Sequence, residues 1–87
     1  MVDYCNNRVD WYIDQLKVHN FYLSRKSSQN SILTAYLFSA NDWRHTVIIS
    51  CQLDQLFRLQ LLYVNEEDSF SYTENGFDEM IAKISNK

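Results

Sequence analysis

The 87-residue sequence predicts a single α+β domain, residues 1–87, with an N-terminal helix, an antiparallel sheet of four to five strands and a C-terminal helix. Apolar residues recur at helical spacing near both ends of the chain and alternate with polar residues in between. Hydrophobic residues make up 46% of the chain and charged residues 22%, which is typical of a folded domain. Because each helix has one apolar stripe and the sheet has one apolar face, we expect a two-layer sandwich with both helices on one sheet face.

The first helix is predicted over Asp3–His19. Val9, Ile13 and Leu16 recur at positions i, i+4 and i+7, so they share one face of a helix. Asn20 follows, and asparagine tolerates the left-handed backbone conformation that ends many helices. The first helix is therefore expected to end near Asn20.

The first two strands are predicted on either side of a polar segment. Phe21–Arg25 alternates apolar and polar residues, and Ser31–Ser39 resumes that alternation. Lys26–Asn30, between them, is polar throughout and is predicted to be a turn. Ala40–Asp42 is predicted to be the next turn.

The third strand, Trp43–Leu53, has the clearest alternation in the chain. One face carries Trp43, His45, Val47, Ile49, Cys51 and Leu53. The other face carries Arg44, Thr46, Ser50 and Gln52. This pattern predicts a strand with one buried face, and we expect Trp43 to lie in the core.

The segment from 53 to 64 fits either a helix or a strand. Leu53, Leu56 and Leu61 share one side at helical spacing, whereas Leu59, Leu61 and Tyr63 alternate with polar residues at strand spacing. A tight turn at residues 54–55 and a strand over residues 56–65 are favoured, because the third strand needs a neighbour.

The last third of the chain predicts a turn, a short strand and the closing helix. Glu66–Asp68 is a polar turn, and Ser69–Thr73 is a strand candidate. The closing helix is predicted to begin at Asn75 or Gly76 and to end at Ser85, with acidic residues in its first turn. Its apolar stripe consists of Phe77, Met80, Ile81 and Ile84.

Several kinds of chemistry are excluded or disfavoured by the composition. Gly76 is the only glycine, so neither a P-loop nor a dinucleotide-binding fingerprint exists in this sequence. Cys5 and Cys51 lie 46 positions apart and belong to no closely spaced ligand pair, so we expect two core thiols and no metal site. His45 and Cys51 lie about 20 Å apart along one extended strand and therefore form no catalytic pair. The sequence predicts no enzyme activity and no cofactor.

The expected compartment is the cytoplasm. The first residues show no basic run followed by an apolar core, so no secretory signal is visible. Apolar stretches such as Leu61–Val64 are far shorter than the roughly 20 residues of a membrane span, so no membrane contact is expected.

Aromatic residues indicate a binding function. If the helices cover one sheet face, the other face carries Tyr22, Tyr36, Phe38, Ile48 and Leu62 among polar residues. A contiguous apolar patch of this kind is typical of an interaction surface. We therefore predict a small protein-binding module, of the kind found among inhibitors, immunity proteins and accessory proteins encoded by phages or mobile elements.

The residues expected to contact the partner include charged and aromatic side chains. They are Trp11, Tyr22, Tyr36, Phe38, Arg44, Glu66, Glu67 and Asp68. Trp11 lies at the edge of the apolar stripe of the first helix, and Arg44 is placed beside the aromatic residues of the sheet. The acidic stretch Glu66–Asp68 is expected to steer the protein toward a basic partner, such as a nucleic-acid-binding protein.

Two alternatives remain open. The same sheet face, covered by a second copy of the chain, predicts a homodimeric structural subunit. Arginines near aromatic residues are also typical of single-strand nucleic-acid platforms, and the order of elements resembles that of double-stranded-RNA-binding domains. In those domains the closing helix begins with lysines, whereas Asn75–Glu79 is acidic here, so no family is assigned and nucleic-acid binding is disfavoured.

Overall fold

The computed structural model describes residues 2–42, 44–53 and 58–85 and has the helix–sheet–helix order expected from the sequence. The elements are α1 (Val2–Lys17), β1 (Phe21–Gln29), β2 (Ile32–Ser39), β3 (His45–Gln52), β4 (Leu59–Asn65), β5 (Asp68–Thr73), a 3-10 turn (Glu74–Gly76) and α2 (Phe77–Ser85). All four strand pairings are antiparallel, and the sheet order is β1-β2-β3-β4-β5. The predicted α+β fold class is confirmed.

Both helices pack on one face of the sheet, which we call the helix face. Strands β2, β3 and β4 alternate buried and less buried residues along most of their length, as one covered face requires. The strands contribute Leu33, Ala35, Leu37, Val47, Ile49, Cys51, Leu59, Leu61 and Tyr63 to the core, and the helices contribute Cys5, Val9, Tyr12, Ile13, Leu16, Met80 and Ile84. Each fully buried aliphatic side chain of this kind contributes about 1.5–3 kcal/mol to folding.

The first helix ends at Lys17, two residues before the predicted end at His19, while Asn20 takes the left-handed conformation that the sequence suggested. Helical geometry stops at Lys17, and Asn20 takes a φ of 67°, in the left-handed region that asparagine tolerates. The carbonyl of Asn20 accepts a hydrogen bond from the backbone N–H of Ala40 at 2.7 Å, which ties the helix end to the chain after β2.

The predicted turn at Lys26–Asn30 is wrong in extent. β1 continues to Gln29, and only Asn30 and Ser31 form the turn, with φ values of 53° and 63°. Positive φ at both central residues is the geometry of a two-residue hairpin turn that matches the twist of the flanking strands. The polar composition misled the prediction because the outer half of β1 has no buried face and therefore no apolar alternation.

The fourth strand is confirmed over the residues that the structure describes. β3 begins at His45, and Trp43, expected in the core, lies outside the described residues. Residues 54–57, where a turn and the start of a strand were predicted, also lie outside them. Leu59–Asn65 is a strand paired with β3, so the helical alternative is wrong there. The following turn is Glu66 and Glu67, since Asp68 already belongs to β5.

The expectation of two core thiols is wrong, because Cys5 and Cys51 form a disulfide. Their Cα atoms lie 5.8 Å apart, within the range that the bond requires, where the first turns of α1 cross β3. A crosslink across 46 positions stabilises the fold by about 4 kcal/mol if its effect is the lost chain entropy of the unfolded state. In a domain this small that is a large share of the total stability.

Within the described parts of the chain, neither helix has the length and apolar character needed to cross a membrane.

Candidate functional site

The face of the sheet opposite the helices, which we call the outer face, carries an apolar stripe across four strands. The stripe consists of Tyr22, Tyr36, Phe38, Ile48, Leu62 and Val64. Strand register aligns Tyr36 with Ile48 and Ile48 with Leu62, while Tyr22 lies opposite Phe38. Cross-strand neighbours of this kind are within side-chain contact distance, so the stripe is continuous.

The outer face is only partly shielded from solvent. Tyr22 is 49% exposed and Phe38 is 42% exposed. Tyr36, Ile48 and Leu62 are half-buried, although their strand neighbours on the helix face are almost fully buried. A contiguous, half-exposed apolar surface rimmed by polar groups is typical of an interaction site.

A polar row lies beside the apolar stripe on the same face. The row consists of Ser27, Thr34, Ser50, Gln60 and Thr73, which the register aligns from β1 to β5. These side chains offer neutral hydrogen-bond donors and acceptors. None of the strand residues described on this face is an Asp or a Glu.

Two arginines complete the outer face. The guanidinium of Arg25 lies 4.8 Å from the centre of the Tyr36 ring, a cation–π arrangement. Ser24, Arg25, Tyr36 and Phe38 together line a cavity of about 240 Å³. Arg58 lines a second cavity of about 210 Å³ with Ile32, Ser50, Gln52 and Gln60.

The free edge of the sheet at β1 is poorly suited to pairing with another strand. A bulge interrupts the register between Leu23 and Arg25. Arg25 and Lys26 follow it, and Lys26 donates to Asp10 of α1 at 2.9 Å. Bulges and charged side chains are the features by which edge strands resist strand addition. The outer face, rather than this edge, is therefore the stronger candidate site.

Arg44, expected beside the aromatic residues, pairs with two carboxylates at the end of the sheet. It precedes β3, and its Nε and Nη2 donate to the two carboxylate oxygens of Asp42 at 3.1 and 3.0 Å. Its Nη2 also lies 3.3 Å from Oε1 of Glu66, in the turn between β4 and β5. The backbone N–H of Arg44 also donates to Asp42, at 3.1 Å. The side-chain hydrogen bonds from Arg44, together with this backbone hydrogen bond, lower the pKa of Asp42 to about 2.

His45 belongs to the same group of side chains, a grouping that the sequence pattern did not predict. Its Nδ1 shares a hydrogen bond with the Tyr63 hydroxyl at 3.1 Å, and its Nε2 lies 3.6 Å from Asp42. Ligand atoms of Asp42, His45 and Glu66 lie within 4.8 Å of one another. The guanidinium of Arg44 already supplies the positive charge between the two carboxylates, so the group is explained as an internal ion-pair network.

Trp11 lies on α1 and is therefore separate from the outer face. It is 52% exposed, and its ring contacts Tyr12 and Phe77 at centroid distances of 4.9 and 5.9 Å. With Asn7, Arg8 and Tyr12 it lines an open cavity of about 360 Å³. Arg8 there is paired with Glu74, whose carboxylate also accepts a hydrogen bond from Tyr12.

The predicted site residues thus occupy three separate places. Tyr22, Tyr36 and Phe38 lie together on the outer face. Arg44 and Glu66 meet at the end of the sheet, with Glu67 and Asp68 exposed beside them. Trp11 lies on the helix side. A steering role for the acidic residues stays a prediction.

No family model, curated protein or solved structure matches this chain.

Proposed function

We propose that the chain is a non-enzymatic protein-binding module that contacts its partner through the outer face. The half-exposed apolar stripe is the observation that carries this proposal. Burying such a stripe removes apolar surface from water and supplies the driving force for association. The polar row beside it provides the hydrogen-bonding rim that interfaces usually have.

The chemistry of the face favours a protein over a nucleic acid. The middle of the stripe is aliphatic, through Ile48, Leu62 and Val64, and aliphatic side chains give bases no aromatic surface on which to stack. Phosphate backbones also need several cations, whereas the described strands and flanks of this face supply Arg25 and Arg58.

A different protein is favoured over a second copy of the chain. In a two-fold dimer the same patch meets itself, so the arginines of one copy face a surface whose described strand residues include no carboxylate. Unneutralised cations in an interface oppose association. A partner that carries carboxylates avoids this cost.

Inhibitors, immunity proteins and accessory subunits act in this way, by covering a surface of a target rather than by chemistry of their own. An origin in a phage or mobile element belongs to the same proposal. The disulfide weighs against the cytoplasmic compartment expected from the sequence, because such bonds persist mainly where the surroundings are oxidising. Thiol labelling of the protein in its source cells, before lysis, distinguishes the cytoplasm from an oxidising compartment. Reduced cysteines react with the label, whereas disulfide-bonded cysteines do not.

The test is capture of the partner with tagged protein, in the presence of nuclease, followed by affinity measurements with the purified partner. Phe38→Ala and Tyr36→Ala are each expected to weaken binding by about 30-fold, as for central aromatic anchors. Trp11→Ala removes an exposed aromatic side chain from the helix side and is expected to leave binding unchanged if the outer face alone is the interface; it thereby also tests the sequence prediction that Trp11 contacts the partner.

Three outcomes contradict the proposal. Binding that is lost in Trp11→Ala but kept in Phe38→Ala would place the interface on α1. Recovery that collapses with nuclease would indicate a nucleic acid instead. A particle mass of twice 10.4 kDa that falls to the monomer mass in Phe38→Ala would indicate that the outer face pairs with a second copy.

A further inference from the structure

The arginines of the outer face differ from most other cations of the molecule in having no counter-ion among the described residues. Arg8 pairs with Glu74, Lys17 with Asp14, Lys26 with Asp10, and Arg44 with Asp42 and Glu66. Within the described part of the chain, Arg25 and Arg58 form no ion pair. Both therefore carry a positive charge that an external carboxylate can neutralise.

The cavity beside Arg25 has the features of a carboxylate pocket. The Tyr36 ring, 4.8 Å below the guanidinium, holds the planar group against the sheet and leaves its N–H groups free to donate to an incoming anion. Ser24, at the bulge of β1, adds a hydroxyl. Phe38, 42% exposed, supplies an apolar wall. The cavity of about 240 Å³ has room for one side chain.

We infer that this cavity binds a carboxylate that is attached to an apolar group and presented by the protein partner; the inference rests on the proposed function. Arg25 is expected to pair with the two carboxylate oxygens, because a guanidinium matches that geometry in a bidentate manner. The apolar part of the same residue then packs on Phe38 and Tyr36. An acidic side chain next to an aromatic residue, or a C-terminal apolar residue, has this chemistry.

Arg58 offers a matched comparison on the same face. Its cavity is lined, among the residues that the structure describes, by Ser50, Gln52, Gln60 and Ile32, and none of these is aromatic. A carboxylate there meets an exposed guanidinium, and among the described residues only the aliphatic side chain of Ile32 is available to hold the apolar part of the ligand. Selective binding is therefore expected at Arg25 and not at Arg58.

The test uses the full-length, oxidised protein labelled with ¹⁵N and three small probes at matched ionic strength. The probes are 3-phenylpropanoate, its neutral isostere 3-phenylpropanamide, and phenyl phosphate. Amide shifts at residues 24, 25, 36 and 38 and the Arg25 Nε–H signal report binding. We expect the carboxylate to bind at least about fivefold more tightly than the amide, which is the effect of one charge-assisted contact.

Two variants assign the charge effect to a residue. Arg25→Gln is expected to abolish the preference for the carboxylate over the amide, whereas Arg58→Gln should leave it unchanged. Equal binding of carboxylate and amide, or shifts centred on Arg58, would overturn the inference. Tighter binding of phenyl phosphate than of the carboxylate would overturn it as well, in favour of a phosphate ligand.

The same variants separate this inference from the proposed function. Loss of partner affinity in Phe38→Ala together with full affinity in Arg25→Gln overturns the carboxylate pocket and leaves the protein-binding face in place. Full partner affinity in both variants overturns the proposed function, and the inference with it. Weakening in both variants, of about fivefold or more in Arg25→Gln, supports the two together.

Discussion

Two neighbouring isoleucines show how differently the two faces of the sheet are used. Ile49, on the helix face, is completely buried, whereas Ile48, on the outer face, is half-buried beside Tyr36 and Leu62. Both belong to β3, and the cross-strand neighbours are Ala35 and Leu61 for Ile49 and Tyr36 and Leu62 for Ile48. The two isoleucines differ in burial because α1 and α2 pack on only one face of the sheet. The helix face holds the domain together, and the outer face carries equivalent side chains whose apolar surface remains available.

The disulfide on the helix face gives one of the two largest expected effects. Replacing both cysteines, Cys5→Ser with Cys51→Ser, should lower the free energy of unfolding by about 4 kcal/mol, because the unfolded chain regains the entropy of a loop of 46 positions. Urea unfolding of the oxidised wild type, the reduced wild type and the double variant measures this. An unchanged midpoint after reduction would contradict the expectation.

The isoleucine pair gives the sharpest test of the comparison. Ile49→Ala should destabilise the domain by about 2–5 kcal/mol, since it leaves a cavity in a core that relaxes only partly. Ile48→Ala should cost about 1 kcal/mol, because its environment already includes solvent. Partner affinity should follow the opposite order, with Ile48→Ala weakening binding and Ile49→Ala leaving it intact wherever that variant is folded. If Ile48→Ala and Ile49→Ala lowered the free energy of unfolding equally, the side chain of Ile48 would be as well buried in solution as that of Ile49.

The end of the sheet should show a weaker effect that depends on pH. The hydrogen bonds from Arg44 lower the pKa of Asp42 from 3.8 to about 2, so the folded protein releases this proton more readily than the unfolded chain. The contribution of Asp42 to stability is therefore complete above pH 3.8 and is lost as the pH falls toward 2. Asp42→Asn should flatten the dependence of the unfolding free energy on pH across that interval.

Arg44→Gln is the partner variant for the pH experiment. It removes the side-chain donors, which are the largest cause of the lowered pKa of Asp42, and keeps the backbone N–H of residue 44, so it should flatten the same interval less than Asp42→Asn does. If the unfolding free energy of both variants depended on pH as it does in the wild type, other carboxyl groups would account for the acid sensitivity.

The smallest expected effect lies at the tip of the β1–β2 hairpin, beyond the cover of the helices. Ser31 has a φ of 63°, which costs a residue with a Cβ more than it costs glycine. Ser31→Gly should therefore raise the free energy of unfolding by about 0.5–1 kcal/mol, after allowing for the freer unfolded chain. Ser28→Gly, in ordinary strand geometry, should lower it by a similar amount. If Ser31→Gly and Ser28→Gly changed the free energy of unfolding in the same direction, the left-handed turn geometry at Ser31 would be contradicted.

Sequence patterns predicted the features that depend on local periodicity. The stripe Val9, Ile13 and Leu16 predicted the buried side of α1, and the alternation of β3 predicted its covered face. The same alternation predicted that Tyr36 and Ile48 would share the other face, where the register aligns them. These features need only neighbours along the chain, which the sequence displays directly.

Features that depend on tertiary placement escaped the sequence analysis. Cys5 and Cys51 are brought together by the crossing of α1 over β3, which no spacing rule encodes. Arg44 was assigned to the aromatic patch by strand alternation alone, yet two turns bring Asp42 and Glu66 to it. Arg25 was named only as the predicted end of the first strand. Its neighbour Lys26 has a carboxylate partner on α1, whereas Arg25 has no counter-ion among the described residues.

The disulfide also divides the chain into two topological parts. The closed covalent ring from Cys5 to Cys51 contains most of α1 and all of β1 and β2, together with β3 up to Cys51, whereas β4, β5 and α2 lie outside it. β4 is joined to the ring by its antiparallel pairing with β3. β5 pairs with β4, and α2 follows β5 in sequence. Partial opening therefore begins at the C-terminal end, where no covalent tether limits it. Amide protons of β5 and α2 should therefore exchange with solvent faster than those of β2 and β3. In that case β5 and α2 unfold locally as one unit while the disulfide-closed part of the domain stays folded.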